Sequence, residues 1–321
     1  MISVKENKDF NVVDAYKKGI IKSGYYISPY DSRDFKYQDL VPLGAIKIPE
    51  EYESENLVVL NQGMSNMCAA CSFAVLRYMQ EAEQSKINTV FSPAFTYANR
   101  KPGEDFEGMY LRSLCDKARE GALPYDEFPG FYTYGESKRK FNEKKKVYCE
   151  HASNFKISSY YRCTNREQVQ TAIIQNKGVM VGVPTYNSLL HPNNKGIVEY
   201  STKMDINDFG GHCVLLVGWK VINNKFYWIL HNSWGEDYGI KGRVYIPENY
   251  PWFDAPFAVV DNEFEMTWKE YTEKYYDGKI TLPIIAEPVK TPSKPIEKEE
   301  PKKSLISIVK QRIVGVIKSS K

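Results

Sequence analysis

The chain has 321 residues, of which 42% are hydrophobic and 26% charged, and its formal net charge is +3. This composition predicts a folded protein of one or two packed lobes and argues against a disordered chain. The near-neutral balance lacks the clustered basic excess of nucleic-acid-binding proteins, so we expect no nucleic acid partner. We also expect no transmembrane segment, because no stretch has the roughly 18 consecutive apolar residues of a membrane span.

Helical patterns predominate in the first half of the chain. The stretch CAACSFAVLRYMQ (68–80) is apolar nearly all round, which is typical of a buried helix. A second helix is expected to start at Ser92, an N-cap residue that precedes Pro93. The segment 107–124 has the spacing of an amphipathic helix.

Strand patterns predominate in the second half. Residues 165–178 predict one more helix, capped by Asn165 and ended by Gly178. The next run, 179–186, predicts a strand, and GHCVLLVGWKV, KFYWILHNSW and GRVYIP predict three more. Helices followed by strands indicate an α+β protein with two lobes.

The C-terminal part has a different composition. Residues 281–303 are rich in Pro, Lys and Glu and predict an extended linker. Residues 304–321 combine basic and paired apolar residues, which predicts a basic amphipathic tail. This tail could contact a protein partner or an assembly; the alternative is a weakly ordered terminus.

Cys68 and Cys71 raise the question of a metal site, a redox pair, two core thiols or a nucleophile. A zinc site needs about four ligands, but the chain has no second C-x-x-C motif and only four histidines. A redox pair should follow a buried strand, and none is evident. We therefore expect no metal and no cofactor. A cysteine at a helix N-terminus, as Cys68 would be, is favoured as a thiolate nucleophile.

Three segments then resemble the papain-like (C1-type) cysteine peptidases. They are Asn61-Gln62-Gly63 followed by Cys68, GGHCVLLVGW (210–219) and HNSWGEDYGIKGRVYI (231–246). His212 follows Cys68 by 144 residues, within the spacing of roughly 130–150 typical of this family. The stretch YYISPYDSRDF, which precedes the first motif, resembles bacterial and phage-type members.

The resemblance implies a catalytic role for four residues. Cys68 would be the nucleophile and His212 its general base and acid, while Asn232 would orient the imidazole and Gln62 would donate a hydrogen bond to the oxyanion. The implied activity is that of a cysteine endopeptidase, a hydrolase that acts on a polypeptide substrate through an acyl-enzyme thioester.

The resemblance also implies substrate-binding residues beside the catalytic ones. Gly108 would lie with Glu107 at the rim of the cleft, and Gly211 would line the main specificity pocket. Trp234 would also belong to the substrate-binding residues and would shield the hydrogen bond between His212 and Asn232 from water.

The implied fold is the papain-like two-lobe α+β fold, with a helical N-terminal lobe, a β-barrel-like C-terminal lobe and the active site in the cleft between them. The peptidase domain would span 25–280, with its lobes at about 60–140 and about 150–262. Residues 1–24 would form an N-terminal extension. Because they carry charges where an export signal has its apolar run, we expect no signal peptide and a cytoplasmic or virion-associated protein.

The chain departs from the family pattern next to its nucleophile. Ser65 stands where the family usually has Cys, and Ala69 where it usually has Trp. Two alternatives therefore remain beside the peptidase. One is a catalytically weak or inactive papain-fold protein that serves a larger assembly, and the other is an amidase or transpeptidase acting on cell-wall peptide.

Overall fold

A computed structural model describes residues 24–29, 31–32, 34–55, 57–84, 89–201, 208–261 and 273–274. The predicted linker and tail, and all of the N-terminal extension but Gly24, lie outside the described residues, and so does the partner contact proposed for the tail. No helix in the described part of the chain is long and apolar enough to cross a membrane.

The described residues form eight α-helices, most of them in the first half of the chain. Their bounds are Tyr37–Leu40 (α1), Cys68–Gln84 (α2), Pro93–Ala98 (α3), Leu111–Ala118 (α4), Tyr134–Glu143 (α5), Lys145–Ala152 (α6), Arg166–Asn176 (α7) and Asn187–Leu190 (α8). A short 3-10 helix, Tyr125–Glu127, separates α4 from α5.

Strands predominate after α6. The strands are Tyr25–Tyr26 (β1), Tyr52–Glu53 (β2), Met109–Tyr110 (β3), Ile157–Arg162 (β4), Val179–Tyr186 (β5), Asp208–Ile222 (β6), Lys225–His231 (β7), Arg243–Pro247 (β8) and Phe257–Asp261 (β9). A seven-stranded sheet has the order β4-β9-β5-β6-β7-β8, with β2 paired to β6. All of these pairs are antiparallel, whereas β1 and β3 form a separate parallel pair.

The large sheet is buried on both faces, because successive residues of β6 alternate between two hydrophobic cores. Leu215 and Val217 belong to the core that contains helix α2, while Val214 and Leu216 belong to the core that contains α7. Helix α2 thus packs against one face of the sheet and α7 against the other. The α+β class predicted from the sequence is confirmed.

Helices α3 and α7 start where the sequence predicts, but α7 does not end as predicted. The Ser92 hydroxyl accepts a hydrogen bond from the Phe95 amide (3.0 Å), and Asn165 caps α7 in the same way (2.9 Å). The residue in the left-handed conformation after α7 is Lys177 (φ 72°), so Gly178 is not the helix terminator. Gly178 lies close to the sheet, since a Cβ there would be 3.1 Å from the carbonyl oxygen of Leu216.

Candidate active site

Cys68 is the first residue of α2, as the sequence predicts. The amide of Cys71 donates to the Met67 carbonyl (2.8 Å), so Cys68 lies at the positive end of a 17-residue helix. The backbone amide of Cys213 donates to the Cys68 sulfur (3.4 Å). The sulfur therefore lies against strand β6 at the residue that follows His212.

His212 is held by Asn232, as predicted. Its Nε2 lies 2.7 Å from Asn232 Oδ1. That oxygen also accepts from the Ser233 amide (2.8 Å), which identifies it as the oxygen of the side-chain amide. An amide oxygen only accepts, so Nε2 carries the proton of the neutral ring and Nδ1 is the nitrogen that accepts a proton.

Aromatic rings cover the His212–Asn232 hydrogen bond. Trp234 stacks on the imidazole with ring centroids 4.6 Å apart and an interplanar angle of 25°. Tyr238 packs edge-on against Trp234, with centroids 4.8 Å apart. Both aromatic residues are buried, so they exclude water from the imidazole and the amide that orients it.

Gln62 is fully buried, and both ends of its side-chain amide are held in place. Its Oε1 accepts from the Ser233 hydroxyl (2.6 Å), and its Nε2 donates to the Ser65 carbonyl (2.7 Å). An NH2 group has two hydrogens, so one remains to donate to an oxyanion. Ser233 lies within the motif that contains Asn232, but no pattern in the sequence indicates its contact with Gln62.

Burial shifts the pKa values of Cys68 and His212 in opposite directions. It raises the pKa of the Cys68 thiol to about 12 and lowers the pKa of His212 to about 4, the latter against a smaller raising effect of the Asn232 hydrogen bond. In this conformation both groups are neutral at pH 7. Desolvation thus opposes a thiolate–imidazolium pair in this conformation.

The chain's own N-terminal part contacts Gly211 and the residue that follows Gly108. Gly211 accepts a hydrogen bond through its carbonyl from the Gly24 amide (3.1 Å). Gly108 has a φ of 85° and precedes Met109, whose amide donates to the Gly24 carbonyl (3.1 Å). Gly24 thus lies between the two predicted substrate-binding residues, and no pattern in the sequence indicates this.

Glu107 lies near the start of α2, because its carboxylate accepts from the side-chain amide of Asn66 (3.4 Å), two residues before Cys68. Its carboxylate accepts from the Tyr97 hydroxyl (2.7 Å) and from the Tyr134 amide (2.9 Å). It therefore joins α3, α5 and the segment before β3. Within the described ranges, no group of three or more His, Cys, Asp or Glu residues is placed to hold a metal ion.

Comparison with known proteins agrees with this geometry. The family model "Papain family cysteine protease" matches residues 90–252, which is half of the chain and includes His212 and Asn232 but neither Cys68 nor Gln62. The crystal structure of xylellain, a cysteine protease from Xylella fastidiosa, superimposes with a TM-score of 0.62 at 20% identity, over 75% of this chain and 96% of that one. The predicted papain-like fold is confirmed.

Curated relatives match shorter parts of the chain. Cathepsin B-like cysteine proteinase 3 of Caenorhabditis elegans is 31% identical over 119 residues, which are 37% of this chain and 30% of that protein. The viral cathepsin of Epiphyas postvittana nucleopolyhedrovirus is 47% identical over 55 residues, 17% of this chain and 16% of that protein. The similarity thus spans less than a third of either relative. The family match, the fold and the geometry around His212 together show that the chain belongs to the papain family of cysteine proteases.

Proposed function

We propose that the chain is a cysteine endopeptidase in which Cys68 is the nucleophile and His212 the general base and acid. The observation that carries this proposal is the 2.7 Å contact between His212 Nε2 and Asn232 Oδ1. His212 lies on β6, and the backbone amide of the next residue, Cys213, donates to the Cys68 sulfur. A nucleophile, a base beside it and a group that orients the base are the parts that acyl transfer to a thiol requires.

The proposed reaction is acyl transfer to the Cys68 thiol, followed by hydrolysis of the thioester. His212 Nδ1 takes the thiol proton, and the Cys68 thiolate attacks the carbonyl carbon of the peptide bond. The Gln62 Nε2 hydrogen and the Cys68 amide would stabilise the resulting oxyanion. The C–N bond then breaks as His212 gives its proton to the leaving amine, which leaves a thioester. His212 next deprotonates a water, which attacks the thioester carbon; the C–S bond breaks and the thiol is restored.

The test is covalent labelling by a peptidyl electrophile, with the modified residue identified by mass spectrometry. Cys68 should be labelled, Cys68→Ala should take up no label, and His212→Ala should slow labelling strongly. Cys71→Ser is the matched control, because Cys71 is a buried thiol one turn further along α2 and should leave labelling unchanged. Labelling of Cys71 or Cys115 in preference to Cys68 would contradict the proposal.

The finer family assignment is also a proposal. A bacterial or phage-type peptidase is supported by the segment YYISPYDSRDF, by Ser65 in place of the family's cysteine, and by the similarity to a bacterial protease and to viral cathepsins. Its six cysteines are all free thiols. Thermal unfolding under reducing and non-reducing conditions tests the absence of structural disulfides, since a protein that has none should unfold at the same temperature in both.

A second candidate is a papain-fold protein whose chemistry is weak or lost. The full burial of Cys68 and its neutral thiol favour it. The labelling experiment separates the two, because a protein whose chemistry is lost should take up no peptidyl electrophile at Cys68, and His212→Ala should then make no difference.

A further inference from the structure

The hydroxyl of Tyr97, on α3, joins the two residues that precede β3. It accepts a hydrogen bond from the Gly108 amide (2.8 Å) and donates one to the Glu107 carboxylate (2.7 Å). Burial and the neighbouring carboxylate raise the pKa of Tyr97, so the hydroxyl keeps its proton and remains a donor at neutral pH. Tyr97 is fully buried, and its hydroxyl holds Gly108 in a left-handed conformation (φ 85°).

An arginine holds Tyr97 in place. The Arg100 guanidinium packs against the rings of Tyr97 and Tyr134, 4.1 Å from each centroid. It also donates to the carbonyls of Tyr97 and Phe106, at 2.6 Å in each case. Such cation–π contacts and charge-assisted hydrogen bonds restrict the cluster strongly. Because Phe106 precedes Glu107, the segment before β3 is held at three consecutive residues.

Glu107 connects this segment with the residues that precede the nucleophile. One oxygen of its carboxylate accepts from the Tyr134 amide at the start of α5 (2.9 Å), and the other lies 3.4 Å from Asn66 Nδ2. Asn66 is two residues before Cys68. The start of β3 and the start of α2 are therefore linked through one carboxylate.

The first amide of β3 is placed to bind an extended peptide. The Gly108 amide is already bonded to Tyr97, so it does not serve a substrate. The Met109 amide instead donates to a carbonyl in an extended stretch of chain, that of Gly24 (3.1 Å). A peptide that adds to β3 as a strand would use the same amide. The direction of this amide is set by the peptide plane after Gly108, and hence by Tyr97.

We propose that Tyr97 and Glu107 are positioning residues, which hold the Met109 amide in the direction that binds the backbone of a polypeptide substrate beside Cys68. The inference rests on the proposed peptidase function, since the substrate is that of the same site. Both side chains act through the backbone of the segment before β3. Their loss should weaken the binding of a peptide that reaches β3 and leave the reactivity of Cys68 toward a small reagent nearly unchanged.

The test compares Tyr97→Phe with Tyr125→Phe in the full chain. Tyr125 is the matched control, because its hydroxyl also accepts from the amide of a glycine with positive φ, Gly130 (3.1 Å), in the segment that leads to α5. Two reagents label Cys68: acetyl-trialanyl vinyl sulfone, whose peptide would reach β3, and iodoacetamide, which has no peptide backbone. Mass spectrometry follows the label, and its rate at several vinyl sulfone concentrations gives the inhibition constant KI and the limiting rate kinact.

Tyr97→Phe keeps the ring and removes only the hydroxyl. The KI of the vinyl sulfone should therefore rise about 3- to 12-fold, as expected for one lost hydrogen bond, while kinact and the iodoacetamide rate stay nearly constant. Tyr125→Phe should match the wild type with both reagents. Glu107→Gln covers the case in which Tyr97→Phe does not fold. Its amide can still accept from Tyr134, but its NH2 group cannot accept the Tyr97 proton, so KI should rise about 2- to 5-fold.

The possible outcomes separate the two proposals. A raised KI with a constant iodoacetamide rate supports both the positioning role and the peptidase function. An unchanged KI in a folded variant, an equal fall with the two reagents, or the same rise in Tyr125→Phe overturns the positioning role and leaves the peptidase function standing. A wild-type Cys68 that takes up no vinyl sulfone overturns the peptidase function and the positioning role with it.

Discussion

The hydrogen bond from Ser233 to Gln62 gives a sharp test of how the oxyanion donor is positioned. The Ser233 hydroxyl lies 2.6 Å from Gln62 Oε1, and both side chains are buried. In Ser233→Ala the amide keeps its bond to the Ser65 carbonyl but loses the donor that fixes its oxygen. The amide can then rotate, and its second N–H no longer has a single direction.

The size of the effect follows from what an oxyanion donor is worth. Removing one such donor lowers kcat by about 10²–10³, or ~2.7–4 kcal/mol, and we expect this of Gln62→Ala. Ser233→Ala weakens the alignment of the donor without removing it, so kcat should fall about 10-fold, or ~1.4 kcal/mol, the size of one neutral hydrogen bond. KM should change little, because the interaction is made to the transition state.

Steady-state hydrolysis of a fluorogenic peptide measures kcat and KM for the two single variants and the double variant. Because Ser233 acts through Gln62, Ser233→Ala should cause no further loss in the Gln62→Ala background. Ser113→Ala is the matched control: this buried serine donates to a side-chain oxygen of Glu104 (2.7 Å), away from Gln62. An equal tenfold loss in both backgrounds, or a change confined to KM, would refute the role of Ser233.

Three further predictions concern other parts of the protein. Because burial raises the pKa of Cys68 to about 12, its alkylation rate in the wild type should keep rising with pH well beyond the ordinary thiol pKa of about 8.5; a plateau near that value contradicts this. Arg77→Met leaves the buried carboxylates of Glu81 and Asp261 without their cation, so urea denaturation should show a loss of ~3–5 kcal/mol in the free energy of unfolding. A loss below about 1 kcal/mol would contradict this. Trp234→Ala should lower kcat about 10-fold, because it exposes His212 to water. Trp234→Phe should retain most of the activity, because it keeps a ring stacked on His212, a contact that contributes ~0.5–1.5 kcal/mol. Equal losses in the two variants would contradict shielding of His212 by Trp234.

Local sequence patterns were enough to predict several features of the fold and the site. The apolar run from Cys68 gave a buried helix, and Ser92 with Pro93 marked a helix start, because both patterns act within a few residues. The motifs around His212 and Asn232 also predicted a pairing that the structure contains. The roles of these residues and the lobe boundaries stay predictions.

Contacts between distant residues were not predictable. Nothing near Gly24 indicates that it meets Cys68 and Gly211, because these contacts depend on how the N-terminal segment crosses two packed layers. Ser233 and Gln62 are 171 residues apart, and their hydrogen bond depends on the register of the chain after β7. Gly178 was misassigned because the left-handed residue after α7 is Lys177, and the helix-end pattern predicts a glycine in that conformation.

The position of β9 in the sheet determines how much of the chain must be synthesised before the large sheet can be completed. β9 ends at Asp261, yet it lies inside the sheet, between β4 and β5. Asp261 also pairs with Arg77 of the helix that begins with Cys68. A nascent chain therefore lacks an interior strand and the partner of a buried arginine until residue 261 has been made. A ribosome-bound fragment that lacks β9 should therefore not hold Cys68 and His212 in the arrangement described above.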